Sequence, residues 1–344
     1  MSSPSQQNSG ASRPPGGPRR TAGHAPLRPP GSLRRTSSVD VLFPQGSDGP
    51  VLLLGRARDI ATPLEGGTPV VLAEDRYTLW LNPDRSIASI AAEPARPALA
   101  QLAGQPVAGG LRKRLQLLAP EERQHGTPLY LVLDDIPGAC LVSNWAWSQW
   151  DAAWFTKIRD SMSHSDWSRQ LLQRQGVCIA YVPGAYAMDP DGPADRSNDA
   201  EVPDLRHPQD PDGWHECPAV HGVGFRRARR IDVSVDDRIR VDSAFQDSAN
   251  TPDGRRMAVH EYRLSVTADP ASLALRSVDA DPRVLPYIEC PTAVLRLGGL
   301  IGSKLPDLRE QVLAELRGVN GCTHLNDALR ALADVPALLG RLPA

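Results

Sequence analysis

The 344-residue sequence contains no apolar run approaching the roughly 18 residues that a membrane-spanning helix needs. Its net charge of -2 provides no overall attraction to nucleic acid or to a membrane surface. The five cysteines are odd in number and spread from Cys140 to Cys322, which is not the pattern of a disulfide framework. The N-terminus also lacks the apolar core of a signal peptide. We therefore expect a cytoplasmic protein in a reducing compartment, with neither a membrane nor a nucleic acid as partner.

What is present is the composition of a folded protein, with 41% hydrophobic and 23% charged residues. The length is sufficient for two domains. Residues 1–33 differ from the rest because they are rich in Ser, Pro, Gly and Arg, and we predict that they form a disordered basic tail. Six arginines and no acidic residue precede Asp40, which fits either a solvated tail or a segment that binds a polyanion.

Strand patterns occupy the chain on both sides of a central segment. β-branched residues, aromatic residues and alternating polarity predict strands at residues 51–60, 76–81, 86–90, 231–235, 239–245, 258–268 and 272–280. Helices are predicted at residues 107–118, after Pro306 and after Cys322. Residues 128–134 fit either a buried strand or a short apolar helix. The predicted fold class is therefore α+β.

The central segment, residues 139–225, begins with a cluster of tryptophans. They are Trp145, Trp147, Trp150, Trp154 and Trp167. The spacing of three of them, at 147, 150 and 154, predicts a helix with an aromatic face. That face would pack in a core or an interface, or would form the wall of a ligand pocket. Residues 183–220 are crowded with Pro, Asp and Gly and are predicted to form a long linker.

The strand-rich parts on either side resemble each other in the same order along the chain. The matching pairs include RRTSSVDV (34–41) with RRARRIDV (226–233), GRARDIATP (55–63) with AFQDSANTP (244–252), and GTPL (126–129) with CTHL (322–325). We interpret this as an internal duplication. Residues 34–138 and 226–340 would be two related units, each an antiparallel sheet with helices, and the Trp-rich segment would be an insertion between them.

The second unit carries polar residues that the first lacks. The alignment places Ala73 or a neighbour opposite His260, Pro94 opposite Cys290, Gly126 opposite Cys322 and Pro128 opposite His324, whereas Asp59 matches Asp247. A requirement of the fold alone would apply to both copies, so we expect the residues specific to the second unit to serve chemistry. The shared aspartate, by contrast, fits a role in the fold itself.

Cys322, Thr323 and His324 form the strongest part of this candidate site. Thr323 is predicted to cap the helix, so that Cys322 lies at the positive helix end, where the thiol pKa would be lowered. His324 could be a metal ligand, a base or a polar cap. Cys290 and His260 lie in strand patterns or at their ends, where each could equally be a core residue.

Two functional hypotheses use these residues. In the first, Cys290, Cys322, Asp247 and a histidine, His324 or His260, bind a divalent metal, with Zn²⁺ the first choice and Fe the second. In the second, Cys322 is a nucleophile, a histidine is its base and Asp247 orients that histidine. No CxxC, HExxH, GxSxG or phosphate-loop motif is present.

The leading prediction is a small-molecule enzyme with this site in the second unit. The alternatives are a non-catalytic accessory protein that holds a metal or an Fe–S species, and an interaction module that uses the Trp-rich insertion. A run of arginines, Arg226, Arg227, Arg229 and Arg230, could orient an anionic substrate or could have a structural or solvated role.

Several segments resemble one known family. They are RRIDV (229–233), AFQDS (244–248), AVHEYRL (258–264), ECP (289–291) and CTHLNDALRALADVP (322–336), and they are similar to the bacterial domains of unknown function catalogued under number 2889. LRRTSSVD (33–40) and GTPLYLVLDDIPGA (126–139) resemble the longer actinobacterial members. The resemblance groups these residues but implies no activity. The sequence departs from the family's pattern at Gln246, where an arginine is expected, and this weakens the case for an anion contact beside Asp247.

Overall fold

The structure, a computed structural model, describes residues 21–65, 67–192 and 198–342. Their centre is one antiparallel sheet whose strands are β1 (Ser32–Leu42), β2 (Val51–Thr62), β3 (Val70–Leu81), β4 (Ile87–Glu93), β5 (Ala200–Glu201), β6 (Gly224–Val235), β7 (Ile239–Asn250), β8 (Arg256–Ala268) and β9 (Leu275–Val284). The strand order is β4-β3-β2-β1-β6-β7-β8, and the far edge of β8 pairs with both β5 and β9. The predicted α+β fold class is confirmed.

The helices are α1 (Leu111–Leu118), α2 (Pro120–Gln124), α3 (Pro128–Val142), α4 (Trp154–Asp160), α5 (His164–Leu172), α6 (Leu308–Glu315), α7 (Thr323–Arg330) and α8 (Val335–Leu339). The ambiguous residues 128–134 belong to α3. This helix begins where Pro128 occupies the first turn and the Thr127 hydroxyl accepts a hydrogen bond from the Tyr130 N–H. No helix of the described residues is long and apolar enough to cross a membrane.

The sheet consists of two four-stranded meanders, β1–β4 and β6–β9, joined through β1 and β6. These two strands run antiparallel with Ser37 opposite Arg229. In the first meander, Asp59 lies opposite both Arg35 on β1 and Ala73 on β3, and a bulge follows.

The second meander has the same arrangement. Asp247 lies opposite both Arg227 on β6 and His260 on β8, and a bulge again follows the aspartate. The strand registers of the two meanders therefore agree at these positions. The internal duplication remains a prediction.

Both faces of β1 and β6 are buried. On one face of the sheet, helices cover the strands. Phe245 of β7 and Tyr262 of β8 belong to one core with α6, α7 and α8, and Tyr77 and Leu79 of β3 belong to another with α1 and α3. On the other face, residues 205–217 cover the strands, with Trp214 against Ala228. A charged side chain on these two strands therefore has no access to bulk water, and needs a partner inside the protein.

The N-terminal prediction concerns residues that the structure describes only in part. Residues 1–20 of the predicted tail lie outside the described residues. Residues 21–33 do not form a free tail: Ala25 is buried against Trp214, and its N–H donates to the Leu205 carbonyl at 3.0 Å. Strand β1 already begins at Ser32.

The prediction of one helix with a tryptophan face is wrong. Trp147 lies in a 3-10 helix, Ser143–Gln149, and Trp154 begins the separate helix α4. The chain turns between them because the Asp151 carboxylate accepts a hydrogen bond from the Ala153 N–H at 3.0 Å. The Trp147 and Trp154 rings nevertheless stack, with centroids 5.2 Å apart, and Trp147 packs on Phe43. These rings pack against each other and the core.

Candidate functional site

The candidate site is built on a row of three side chains across β6, β7 and β8. Arg227, Asp247 and His260 lie directly opposite one another and therefore share a sheet face. The Arg227 guanidinium forms two parallel hydrogen bonds to the Asp247 carboxylate, Nε to Oδ1 at 2.8 Å and Nη2 to Oδ2 at 2.9 Å. This bidentate pair fixes the carboxylate in place.

Helix α7 adds His324 from above the sheet. His260 Nδ1 is 3.5 Å from Asp247 Oδ2, and His324 Nε2 is 3.7 Å from the same oxygen. Both distances are longer than normal hydrogen bonds. Among the described residues, His260 Nδ1 is a buried nitrogen without a hydrogen-bond partner. Two ring nitrogens thus converge on one carboxylate oxygen without sharing a proton with it.

The spacing of these atoms suits a metal ion. One donor atom from each of Asp247, His260 and His324 lies within 4.8 Å of the other two. Ligand bonds of 2.0–2.2 Å in a tetrahedral zinc site place neighbouring donor atoms about 3.3–3.6 Å apart. An octahedral ion with the same bond lengths would bring neighbouring donors closer, to about 3 Å. The two separations from Asp247 Oδ2, 3.5 and 3.7 Å, lie closer to the tetrahedral value.

The protonation states are also those of metal ligands. Burial lowers the pKa of His260 and outweighs the opposing effect of Asp247. Burial lowers the pKa of His324 still further, and the neighbouring His260 acts in the same direction. Burial would raise the pKa of Asp247, but Arg227, His260 and His324 together outweigh burial and keep that pKa below its usual range. At neutral pH the group therefore contains two neutral imidazoles and a carboxylate.

The arginine run is neither solvated nor free to orient a substrate. All four guanidiniums are buried and each is paired with aspartate. The partners are Asp40 for Arg226, Asp247 and Asp327 for Arg227, Asp135 for Arg229, and Asp232 and Asp242 for Arg230. A substrate anion would have to displace these carboxylates. The solvated alternative is wrong, and the structural one is what the contacts support.

Cys322 does not have the properties of a reactive thiol. It, rather than the predicted Thr323, occupies the N-cap position of α7, and its side chain makes no capping hydrogen bond. The residue is only 2% exposed, and burial raises the thiol pKa despite the nearby N–H groups of His324 and Leu325. The predicted lowering of this pKa is wrong, because loss of hydration outweighs the helix end.

The two cysteines proposed as metal ligands lie outside the converging group. Cys322 Sγ is 3.9 Å from His324 Nδ1, the ring nitrogen that faces away from Asp247. Cys290 begins a 3-10 helix, Cys290–Leu300, and is buried in the apolar core, where burial raises its thiol pKa. His260, which the metal hypothesis gave only as the alternative to His324, lies in the group together with His324.

The first meander shows what the same row looks like without the imidazoles. Arg35 forms the equivalent bidentate pair with Asp59, with both distances 2.7 Å, and a second aspartate, Asp334, contacts Arg35 at 3.1 Å. Ala73 occupies the place of His260. The arginine–aspartate pairs are thus common to both meanders, whereas the histidines are an addition in the second.

Sequence reasoning did not find the supporting residues. Asp327 on α7 accepts from Arg227 Nη1 at 2.9 Å and from Arg112 Nη2 of α1 at 2.7 Å. The Phe245 ring centroid is 4.9 Å from the guanidinium carbon of Arg227. The only available signal was that a buried arginine needs a carboxylate, and this does not indicate which one.

Comparison with known proteins gives one family. Residues 225–338, which include β6 to β9 and α6 to α8, match the model of a family described as protein of unknown function (DUF2889). The match confirms, for these residues, the resemblance that the sequence predicted. No curated protein and no solved structure gives a significant match to the chain. The family segment contains all three residues of the converging group.

Proposed function

We propose that the protein binds one divalent metal ion at this group, which lies wholly within the segment that matches the family model. Asp247, His260 and His324 would be the ligands, and Zn²⁺ is the ion that the donor set and its spacing fit best. The observation that carries the proposal is the convergence of His260 Nδ1 and His324 Nε2 on Asp247 Oδ2.

Residues around the group would act as a second layer of support. Arg227 holds the carboxylate, and Asp327 in turn holds Arg227. Such outer contacts orient ligands and are typical of metal sites. Since Arg227 already donates to Oδ2, the ion would share that oxygen with a cation, and we expect weaker binding than at a site with a free carboxylate.

We further propose that the site belongs to a small-molecule enzyme. Three protein ligands leave one position of a tetrahedral ion open, which is the arrangement of catalytic rather than structural zinc sites. A bound zinc ion would supply Lewis-acid chemistry at that position. Cys322 would border the site as an apolar neighbour of His324, since its raised thiol pKa argues against a role as nucleophile.

The burial of the group favours a second candidate, a closed metal site without catalysis. Asp247 is 0% and His260 5% exposed. An ion held so deeply could stabilise the contact between α7 and the sheet in an accessory protein. An Fe–S species is not supported, because Cys290 and Cys322 lie outside the converging group.

The direct test is metal analysis of protein purified without chelator and then titrated with Zn²⁺. We expect about one ion per chain and a zinc-dependent rise in melting temperature, since a ligand of the native state stabilises it. Both should disappear in His260→Ala and in His324→Ala.

A matched pair of variants separates metal binding from folding. Asp59→Asn and Asp247→Asn each remove a carboxylate from a buried arginine, but only the second removes a proposed ligand. Retained zinc binding in Asp247→Asn, or no binding by the parent protein, would refute the proposal. Loss of zinc binding in both variants would show that the loss results from damage to the fold and not from removal of a ligand.

Cobalt substitution distinguishes the enzyme from the closed site. If the fourth position is open, added azide should change the visible spectrum of the Co²⁺ protein. An unchanged spectrum would support the closed, non-catalytic site.

We also infer that the two meanders arose by duplication, with residues 139–225 as the insertion. Two observations support this. Each meander has an arginine directly opposite an aspartate on the neighbouring strand, and in each a bulge follows the aspartate. Superposition of β1–β4 on β6–β9 tests it: the row should coincide in space, and a displaced register would contradict a common origin.

A further inference from the structure

A separate cavity of about 470 Å³ lies between helices α1, α3 and α7. This is within the range of small-molecule sites, about 300–1,000 Å³. Its walls are largely apolar and include Val41, Val51, Leu81, Val107, Leu141 and Leu313. No residue of the Asp247, His260 and His324 group lines it.

Two arginines reach this cavity, and they differ in their partners. Arg112 is paired with Asp327 at 2.7 Å. Arg85, which is half-buried, has no carboxylate within ion-pair distance among the described residues. Within the described part of the chain, Arg85 makes a long contact to Asn144 Oδ1, at 3.5 Å, and lies 5.8 Å from the Phe43 ring centroid. Arg85 is thus a cation beside apolar walls without a counter-charge.

The backbone at Arg85 is also unusual. Its φ of 66° lies in the left-handed region, where a residue other than Gly, Asn or Asp costs free energy. The turn is held there because the Val107 N–H donates to the Arg85 carbonyl at 3.1 Å. Val107 itself lines the cavity, so the same contact that fixes this backbone ties Arg85 to the cavity wall.

We propose that this cavity binds a small carboxylate with an apolar body. The body lies against the aliphatic walls, and the carboxylate pairs with the Arg85 guanidinium, which can accept it bidentately. Thr323 and Asp327 of α7, the helix that carries His324, form one side of the cavity. The site nevertheless does not depend on the metal, because Arg85 and the apolar walls are independent of the metal group.

The test uses two probes of equal chain length, octanoate and 1-octanol, and isothermal titration calorimetry in the presence of chelator. Octanoate should bind at least about tenfold more tightly than octanol, as a charge-assisted pair implies. Arg85→Met should reduce octanoate affinity to that of octanol and leave octanol binding unchanged. Arg76→Met, on the exposed part of β3 outside the cavity, is the matched control and should change neither affinity.

A second variant tests the cavity itself. Leu313 is 47% exposed, so Leu313→Trp should fold and should weaken the binding of both probes by filling the space. Equal affinity for the two probes, or octanoate affinity that survives Arg85→Met, would overturn the proposal. If Arg85→Met does not fold, Arg85→Lys is used instead. Because this variant keeps the positive charge, it should still bind octanoate more tightly than octanol. Because the titrations are made without metal, their outcome is independent of the zinc experiment.

Discussion

The His260 and His324 rings are stacked face to face, with centroids 3.4 Å apart and an angle of 17° between their planes. One ring comes from β8 and the other from α7, so the stack joins the helix to the sheet. Protonation of both rings would place two cations in contact inside the protein. The stack is therefore compatible with neutral histidines and becomes unfavourable when they are protonated.

Acid should destabilise the metal-free protein through these histidines. Their pKa values, and that of His215, are lowered by burial in the folded state. Below the unfolded pKa of about 6.5, the unfolded chain binds more protons than the native protein. The free energy of unfolding should fall as pH drops through this window, by up to about 1.4 kcal/mol per pH unit for each histidine.

Urea unfolding at pH 7.5 and 5.5, with chelator present, measures this effect. His324→Gln should show a smaller loss than the parent protein, whereas the exposed control His164→Gln should behave like the parent. Equal stability of the parent protein at both pH values would contradict the prediction.

The buried arginines should make their aspartates costly to remove. We expect Asp59→Asn and Asp247→Asn to lower the free energy of unfolding by about 3–5 kcal/mol each, because each leaves a buried guanidinium poorly compensated. Chemical denaturation measures both. An exposed pair provides the control: Glu93→Gln, opposite Arg76, should cost less than about 1 kcal/mol.

Gly138 on α3 should not tolerate a side chain. A Cβ at this position would lie 2.0 Å from Arg227 Nη1 and 2.6 Å from Asp327 Oδ2. We expect Gly138→Ala to cost about 1–3 kcal/mol by forcing these groups apart. Gly298→Ala is the control, because a Cβ there meets nothing within 4 Å. Similar melting temperatures for the two variants would show that α3 can move away.

The thiols should be unreactive in the native protein. Burial raises the pKa of Cys140 and of Cys178 to about 12, and raises that of Cys322 as well. Iodoacetamide at pH 8, followed by mass spectrometry, should label Cys322 slowly until urea unfolds the chain. Rapid, selective labelling of native Cys322 would restore the nucleophile hypothesis.

Most of the strands were predictable, because alternation and β-branched residues are local signals. Strand β1 was not predicted, and the order of the strands in the sheet depends on long-range pairing that local signals do not contain. The strand registers place Ala73 opposite Asp59 and His260 opposite Asp247, and Ala73 is within the range of positions that the alignment allowed. The environment of the arginine run was not predictable. Arg226 and Arg229 are buried only because Asp40 and Asp135, from distant parts of the chain, meet them.

The candidate site was predictable only in part, because the sequence shows its residues but not how distant segments pack around them. His324 and Asp247 stood out as residues, but their distance depends on how α7 packs on the sheet. For Cys322, the helix end is visible in the sequence while the burial that reverses its effect on the pKa is not.

The junction of β1 with β6 sets how much of the chain the candidate site needs around it. The family segment, residues 225–338, contains β6 but neither β1 nor Asp135, the partner of Arg229. A polypeptide cut to that segment would expose the edge of β6 that β1 covers here, and would leave the buried Arg229 guanidinium without its carboxylate. A shortened protein that keeps the site in a covered sheet therefore has to retain β1 and α3 as well.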